Sequence, residues 1–281
     1  MNIQWYPGHM TKAKRQMMED IKLIDLVIEL VDARIPLSSR NPDIDNIAQN
    51  KARLVLLNKS DMADENYTSQ WAEYFENKGF HVCVINALKA SDMKQINEIV
   101  KKACAAKIER DLRRGIKNRP VRAMVVGIPN VGKSTFINTF ARKGAAKTGN
   151  KPGVTKGKQW IKLSSSLELL DTPGILWPKF EDQSVGVKLA MIGSIKDEIM
   201  NIEELAWELI DMLQQLYPEQ FYGFYGINAE DGDKPAQILE KIAIARGCIA
   251  KGAEADTLRA ANLLLENFRN GKIGRFTLER P

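Results

Sequence analysis

"VRAMVVGIPNVGKSTFINTFAR", residues 121–142, decides the fold, because its three parts require one another. Val121–Gly127 is an apolar run that reads as a buried strand, and the stretch after Ser134 has helical spacing. Between them GIPNVGKST, Gly127–Thr135, fits G-x-x-x-x-G-K-[ST], a loop that cradles the phosphates of a nucleotide. Its glycines let the backbone curl so that N–H groups face phosphate oxygens, and the helix N-terminus adds its dipole. The expected phosphate site therefore runs from Asn130 through Val131, Gly132, Lys133 and Ser134 to Thr135. Lys133 would bridge the β- and γ-phosphates, which makes it a catalytic candidate, and Ser134 would ligate Mg²⁺.

Downstream, the run LELL leads into DTPG, Asp171–Gly174, where an aspartate that holds Mg²⁺ should stand. Asp171 is the expected metal carboxylate, acting through water, and the Gly174 N–H would reach the γ-phosphate. A plain turn closing a strand is the other reading of these four residues. Between the two motifs lies NKPGVTKGKQW, in which Thr155 is the preferred Mg²⁺ ligand and γ-phosphate sensor, ahead of Thr148.

Upstream, "ARLVLLNKSD" from Ala52 is a second apolar strand ending in Asn58, Lys59, Ser60 and Asp61. This resembles the guanine-reading element of GTPases. The Asp61 carboxylate can accept from both N1–H and N2–H of guanine, two donors that adenine lacks. Asn58 can serve the opposite edge of the base, and the stem of Lys59 can pack on its face. INALK, Ile85–Lys89, follows the next strand and resembles the loop that backs guanine, with Asn86 in place of the usual serine and Ala87 offering an N–H to O6. The order is thus base, base, phosphate, switch, metal. Ligand loops of a parallel sheet gather at the carboxyl ends of its strands whatever their order in the chain, so this reads as a circular permutation.

The remaining pattern fits that frame. LIDLVIELVDA (23–33), ARLVLLN and FHVCVINA (80–87) read as buried strands, and SDMKQINEIVKKACAAKIERDLRR as one long amphipathic helix capped by Ser91. From about Gln183 only helical periodicity is left. The expected architecture is α/β: a P-loop GTPase domain with a circularly permuted, mostly parallel sheet over 1–180, then an all-helical C-terminal domain over 181–281.

The 281 residues are 44% hydrophobic and 27% charged, ordinary for a folded protein, and no apolar run approaches the roughly 18 residues that span a bilayer. A cytoplasmic protein without a stable membrane anchor is expected. Cys83, Cys104 and Cys248 have neither disulfide nor metal spacing, and His9 and His81 are too few for zinc. Residues 1–180 hold 30 basic and 18 acidic side chains, a balance of +12, against 11 and 17 in the remainder, a balance of −6. A basic front half suits a polyanion, although a solvated surface explains it equally.

With WYPGHMTKAKR, DLVIELVDARIP, LLNKSDM, GIPNVGKST, PGVTKGKQW and DTPGILWP, the chain resembles the circularly permuted GTPases, and among them the bacterial ribosome biogenesis GTPase A family, over nearly its whole length. The resemblance implies a GTPase that binds GTP and GDP and assists a late precursor of the large ribosomal subunit, with the helical domain contacting ribosomal RNA. The position after DTPG, where many GTPases carry a water-orienting glutamine, is Ile175, which cannot hydrogen-bond. The resemblance points to His9 for that role, the other reading being a solvated histidine. It also associates Asn130 with K⁺ dependence, against a loop asparagine bonding its own backbone. Asp32 of Asp32-Ala33-Arg34 is open to three readings: steadying a switch loop, contacting RNA, or capping a turn. Lys241, Arg246, Lys251, Arg259, Arg269, Lys272 and Arg275 form either a basic strip or a solvated face. The alternative function is a nucleotide-gated binding module for a protein or acidic membrane client.

Overall fold

The computed structural model describes residues 8–144, 160–172, 176–177, 180–228 and 232–281. Six strands form one sheet: β1 (Leu26–Asp32), β2 (Ala52–Asn58), β3 (His81–Val84), β4 (Val121–Val126), β5 (Trp160–Ser164) and β6 (Leu167–Asp171), in the spatial order β3-β2-β1-β4-β6-β5. Every pairing is parallel except β5 with β6, so the sheet is mostly parallel with one antiparallel edge. All seven residues of β1 are buried, as a strand covered on both faces requires.

The topology shows the permutation directly. β4, which feeds the phosphate loop, lies beside β1, the first strand of the chain, and strand order reverses at that junction. Such a reversal opens a crevice at the strands' carboxyl ends. Register then brings the motif loops together: Asp32 pairs with Asn58, and Val125 with Asp171.

Helices α1 (Gly8–Asp20), α2 (Asp43–Ile47), α3 (Glu65–Asn77), α4 (Met93–Ala103), α5 (Ala105–Arg113) and α6 (Lys133–Gly144) accompany the sheet. α3 starts where the Asp64 carboxylate accepts from Tyr67 N–H, and it buries Trp71 and Phe75 against Val31, Val55 and Leu57. The single helix expected after Ser91 is two. The chain bends at Cys104 (φ −105°, ψ 15°), between α4 and α5, and Lys107 beyond the bend pairs with Asp111 and Asp25. Nor does Ser91 cap α4. Its hydroxyl donates to Asp92, whose other oxygen accepts from Asn86 N–H, so this carboxylate fastens the 86–88 loop instead.

From Gln183 to Arg269 the described regular elements are helices, chiefly α7 (Gln183–Met191), α8 (Ile202–Leu216), α9 (Pro218–Tyr225), α10 (Pro235–Ala245) and α11 (Thr257–Arg269), whereas the all-helical expectation fails for residues 271–281. Asp182, Asn201 and Asp256 cap α7, α8 and α11 with their side chains. Leu176 and Phe180 anchor the connection from β6 in the core. After α11 the chain does not stop among the helices. Residues 271–281 run back across the ends of β1 and β2, where Phe276 and Leu278 are buried. Among the described residues no helix is long and apolar enough to cross a membrane.

Candidate functional site

The loops after β1, β2, β3, β4 and β6 share one edge of the sheet. In the phosphate loop Lys133, almost fully buried, donates to the carbonyls of Gly127 (3.1 Å) and Ile128 (2.9 Å). Ser134 and Thr135 open α6, with Ser134 exposed, so a hydroxyl and a helix N-terminus face outward together.

Asn58 ties this loop to the others. Its Nδ2 donates to Val131 O (2.8 Å) and its Oδ1 accepts from Ala87 N–H (2.9 Å). Gly132 makes room for that contact: a Cβ there would lie 2.5 Å from Asn58 Nδ2, at a φ of +102° that other residues resist. One N–H of the Asn58 amide is left for a ligand. The donor expected at Ala87, however, is already engaged by Asn58, and Leu88 N–H is engaged by Asn86 Oδ1. A peptide N–H has one proton, so these two stabilise the loop before any base arrives.

Asp61 differs from its neighbours. Its side chain is exposed and makes no hydrogen bond or ion pair with a described residue, leaving both oxygens for a ligand. Ser60 is half-buried, and its N–H donates to Ile85 O. Lys59, at φ +60°, sends its ammonium to Asp32 (3.0 Å). Asp32 is fully buried and also grips Arg34 through two hydrogen bonds of 2.8 and 2.9 Å. Burial works to raise its carboxyl pKa, yet Arg34 and Lys59 hold it well below the usual carboxylate range. Of the three readings left open for Asp32, the geometry supports the cap, since its Oδ1 accepts from Arg34 N–H (3.1 Å) in the turn after β1, and its full burial removes direct contact with RNA; its bond to Lys59 also ties that turn to the base loop.

Nothing in the sequence pattern signals that the helical part reaches this edge. Arg34 donates to the last carbonyls of α11, Phe268 O (3.1 Å) and Arg269 O (3.2 Å). Asn130 (φ +59°) donates to Gly193 O (2.7 Å), and Ser194 to Pro129 O (2.8 Å), so the turn after α7 holds the phosphate loop. Arg269 fixes that same turn by donating to Ala190 O, Met191 O and Asp197. The basic strip is correspondingly reduced. Arg269 and Arg275 bond to backbone carbonyls, Lys241 pairs with Asp233 and Lys272 with Glu266 at the surface, and Arg246 donates to Phe224 O and stacks on Phe224 and Tyr225, while Lys251 and Arg259 are exposed.

Thr155, Thr148 and Gly174 lie outside the described residues. Asp171 closes β6 and His9 stands in the first turn of α1, with the side chains of both outside the description. No cluster of three His, Cys, Asp or Glu among the described residues could enclose a metal. Of the three residues expected to hold Mg²⁺, only Ser134 has its side chain described, exposed at the start of α6, which suits an ion that keeps water and phosphate oxygens and takes few protein ligands. Burial raises the thiols of Cys83 to about 12 and Cys104 to about 11, which makes them poor nucleophiles.

Comparison with known proteins agrees with this geometry. A family described as a 50S ribosome-binding GTPase matches residues 122–221, beginning at β4 and leaving the base-reading strands outside the match. Ribosome biogenesis GTPase A of Bacillus cereus is 50% identical over 281 residues, covering 100% of this chain and 95% of the relative. The GDP-bound structure of TM YlqF superposes with a TM-score of 0.70 at 28% identity, over 95% of this chain and 99% of that one. GNP-bound YlqF from T. maritima gives 0.68 at 29%, over 96% and 98%.

Proposed function

This chain belongs to the ribosome biogenesis GTPase A family, and from that premise we propose that it binds a late precursor of the large ribosomal subunit, promotes its maturation and leaves on GTP hydrolysis. It is a GTP hydrolase with a role in ribosome biogenesis, converting GTP and water to GDP and phosphate. Mg²⁺ accompanies the nucleotide in this fold. Ser134, Asp171 and Thr155 are the residues that would hold it, and when bound it neutralises phosphate charge.

In this reading Asp61 reads N1–H and N2–H of guanine, Asn58 gives its remaining N–H to the opposite edge, and the Lys59 stem covers the base face. Lys133 and the backbone of 130–135 hold the phosphates, and the Gly174 N–H senses the γ-phosphate. His9 orients the attacking water in place of the residue at 175, when the subunit is bound. Asn130 Oδ1 is the group offered to K⁺.

One observation carries the switch. Both nucleotide loops are hydrogen-bonded to the part of the chain beyond residue 180, the phosphate loop through Asn130 and Ser194 and the base loop through Arg275, with Arg34 joining the neighbouring loop after β1 to α11. GTP in residues 1–180 then fixes the pose of the helical unit 181–281, and hydrolysis loosens it. Lys251 and Arg259, with the surface-paired Lys272, are the side chains that would meet ribosomal RNA. The proposed place of action is the cytoplasm.

The test is sucrose-gradient fractionation of a cell lysate with GDP or a non-hydrolysable GTP analogue. The protein should comigrate with large-subunit precursors under the analogue and leave them under GDP. Equal comigration in both, or flotation with lipid, defeats the proposal.

A further inference from the structure

The segment after α11 has no part in the functional assignments above, yet it makes the most continuous set of contacts to the turn that carries Asp61. Gly271 (φ +67°) lets the chain leave the helix against Met62: a Cβ at Gly271 would sit 2.9 Å from Met62 Cγ. Arg275 then lies across the turn. Its Nε donates to Ala63 O (2.9 Å), its Nη2 to Ser60 O (3.1 Å), and its Nη1 meets Glu65 Oε2 (3.3 Å). Phe276 N–H donates to Met62 O (3.0 Å). Thr277 Oγ1 accepts from Asp64 N–H (3.2 Å) and donates to Ala33 O (3.3 Å).

The carbonyls of residues 60, 62 and 63 and the N–H of residue 64 are thus all held by three consecutive residues near the end of the chain. Without them this turn would have to find other partners for four backbone groups. Downstream the segment is itself fastened. Leu278 N–H donates to Arg34 O (2.8 Å), Trp71 Nε1 to Glu279 O (3.3 Å), and the Glu279 carboxylate accepts from Leu37 N–H (2.7 Å) and Lys188 (3.2 Å). Amid this bonding the Asp61 side chain alone is left exposed and unengaged.

We propose that residues 271–280 are a guanine-selectivity strap, in which Arg275 is the positioning residue that holds the Ser60–Glu65 turn so that Asp61 offers both oxygens to the base. Two hydrogen bonds to one carboxylate demand a fixed plane, and a guanidinium bonded on both sides of residue 61 supplies it. Arg275 acts through Asp61 and does not itself touch the nucleotide. The inference rests on the reading of Asp61 as the base contact.

The experiment compares equilibrium affinities for GDP and IDP, which differ only by the 2-amino group. Wild type should prefer GDP. Arg275→Ala should lower GDP affinity about tenfold and IDP affinity less, so that the GDP:IDP ratio falls. Thr277→Val, nearly isosteric, should lower the ratio in the same direction, and Arg275→Lys should retain part of it. A mere loss of folded protein would depress both affinities equally, and a thermal melt of each variant measures that loss. If Arg275→Ala does not fold, the ratio in Thr277→Val and Arg275→Lys decides. An unchanged ratio in the folded variants overturns the strap, provided that Asp61→Asn abolishes the preference. If Asp61→Asn leaves the preference intact, it is the assignment of the base pocket that fails.

Discussion

Asp32 lies wholly inside the protein between two cations, Arg34 at 2.8 Å and Lys59 at 3.0 Å. Replacing it with asparagine keeps the shape and strands both charges, which for a buried pair costs about 3–5 kcal/mol of stability. Urea denaturation of Asp32→Asn measures it. Because the folded carboxyl pKa is depressed, this stabilisation is complete above the unfolded value of about 3.9 and fades as pH falls toward the folded one. The gap between wild type and Asp32→Asn should therefore stay constant from pH 8 to 5 and close below about pH 4. Asp61 predicts a different phenotype. An amide at that position would meet the guanine 2-amino group with its own NH₂, whereas xanthine offers it an oxygen. Asp61→Asn should bind XDP better than GDP, with GDP affinity reduced about a hundredfold or more. Titration with both nucleotides decides, and an unaltered order of preference would remove Asp61 from the pocket.

Among elements, the joint between β2, the phosphate loop and the loop after β3 rests on the single amide of Asn58. Were Asn58 only a base contact, its loss would leave the nucleotide-free protein unaffected. As a joint, Asn58→Ala strands Val131 O and Ala87 N–H and should destabilise that form by about 1–3 kcal/mol. A melting curve without nucleotide separates the two roles. β1, β2, β4 and the phosphate loop were legible in the sequence because each is written in adjacent residues: β1 as an apolar run interrupted only by Glu29, the loop as nine residues with its own strand and helix. β3, expected to be buried, is an edge strand in which only Cys83 is buried. α8, α10 and α11 were legible from their periodicity. The joint was not, since the partners of Asn58 are 29 and 73 residues away. Nor was the bend at Cys104, where helical periodicity continues on both sides. Arg34 was illegible for the same reason, as its acceptors on α11 stand 234 and 235 residues downstream.

In the whole molecule α7 links the connection after β6 to the phosphate loop. Its N-terminal side follows the connection from DTPG, anchored by Leu176 and Phe180, and its C-terminal turn holds Pro129 and Asn130. In the switch proposed above, a change at the γ-phosphate has two routes into the helices, one through the connection after DTPG and one through Gly193 and Ser194. Arg269 joins the second route to α11, whose last carbonyls receive Arg34 from the base side. A ligand shifts such an arrangement only by its differential affinity for two states, so cutting a connection should shrink a difference rather than abolish binding. Ser194→Ala removes the hydrogen bond to Pro129 O while leaving Asn130 bonded to Gly193. In pelleting assays with large-subunit precursors, the ratio of affinities between the analogue-bound and GDP-bound forms should fall toward one in this variant. The double change Ser194→Ala with Asn130→Ala should take it further. If both variants keep the wild-type ratio, the turn after α7 only braces the phosphate loop and does not carry nucleotide state to the helices.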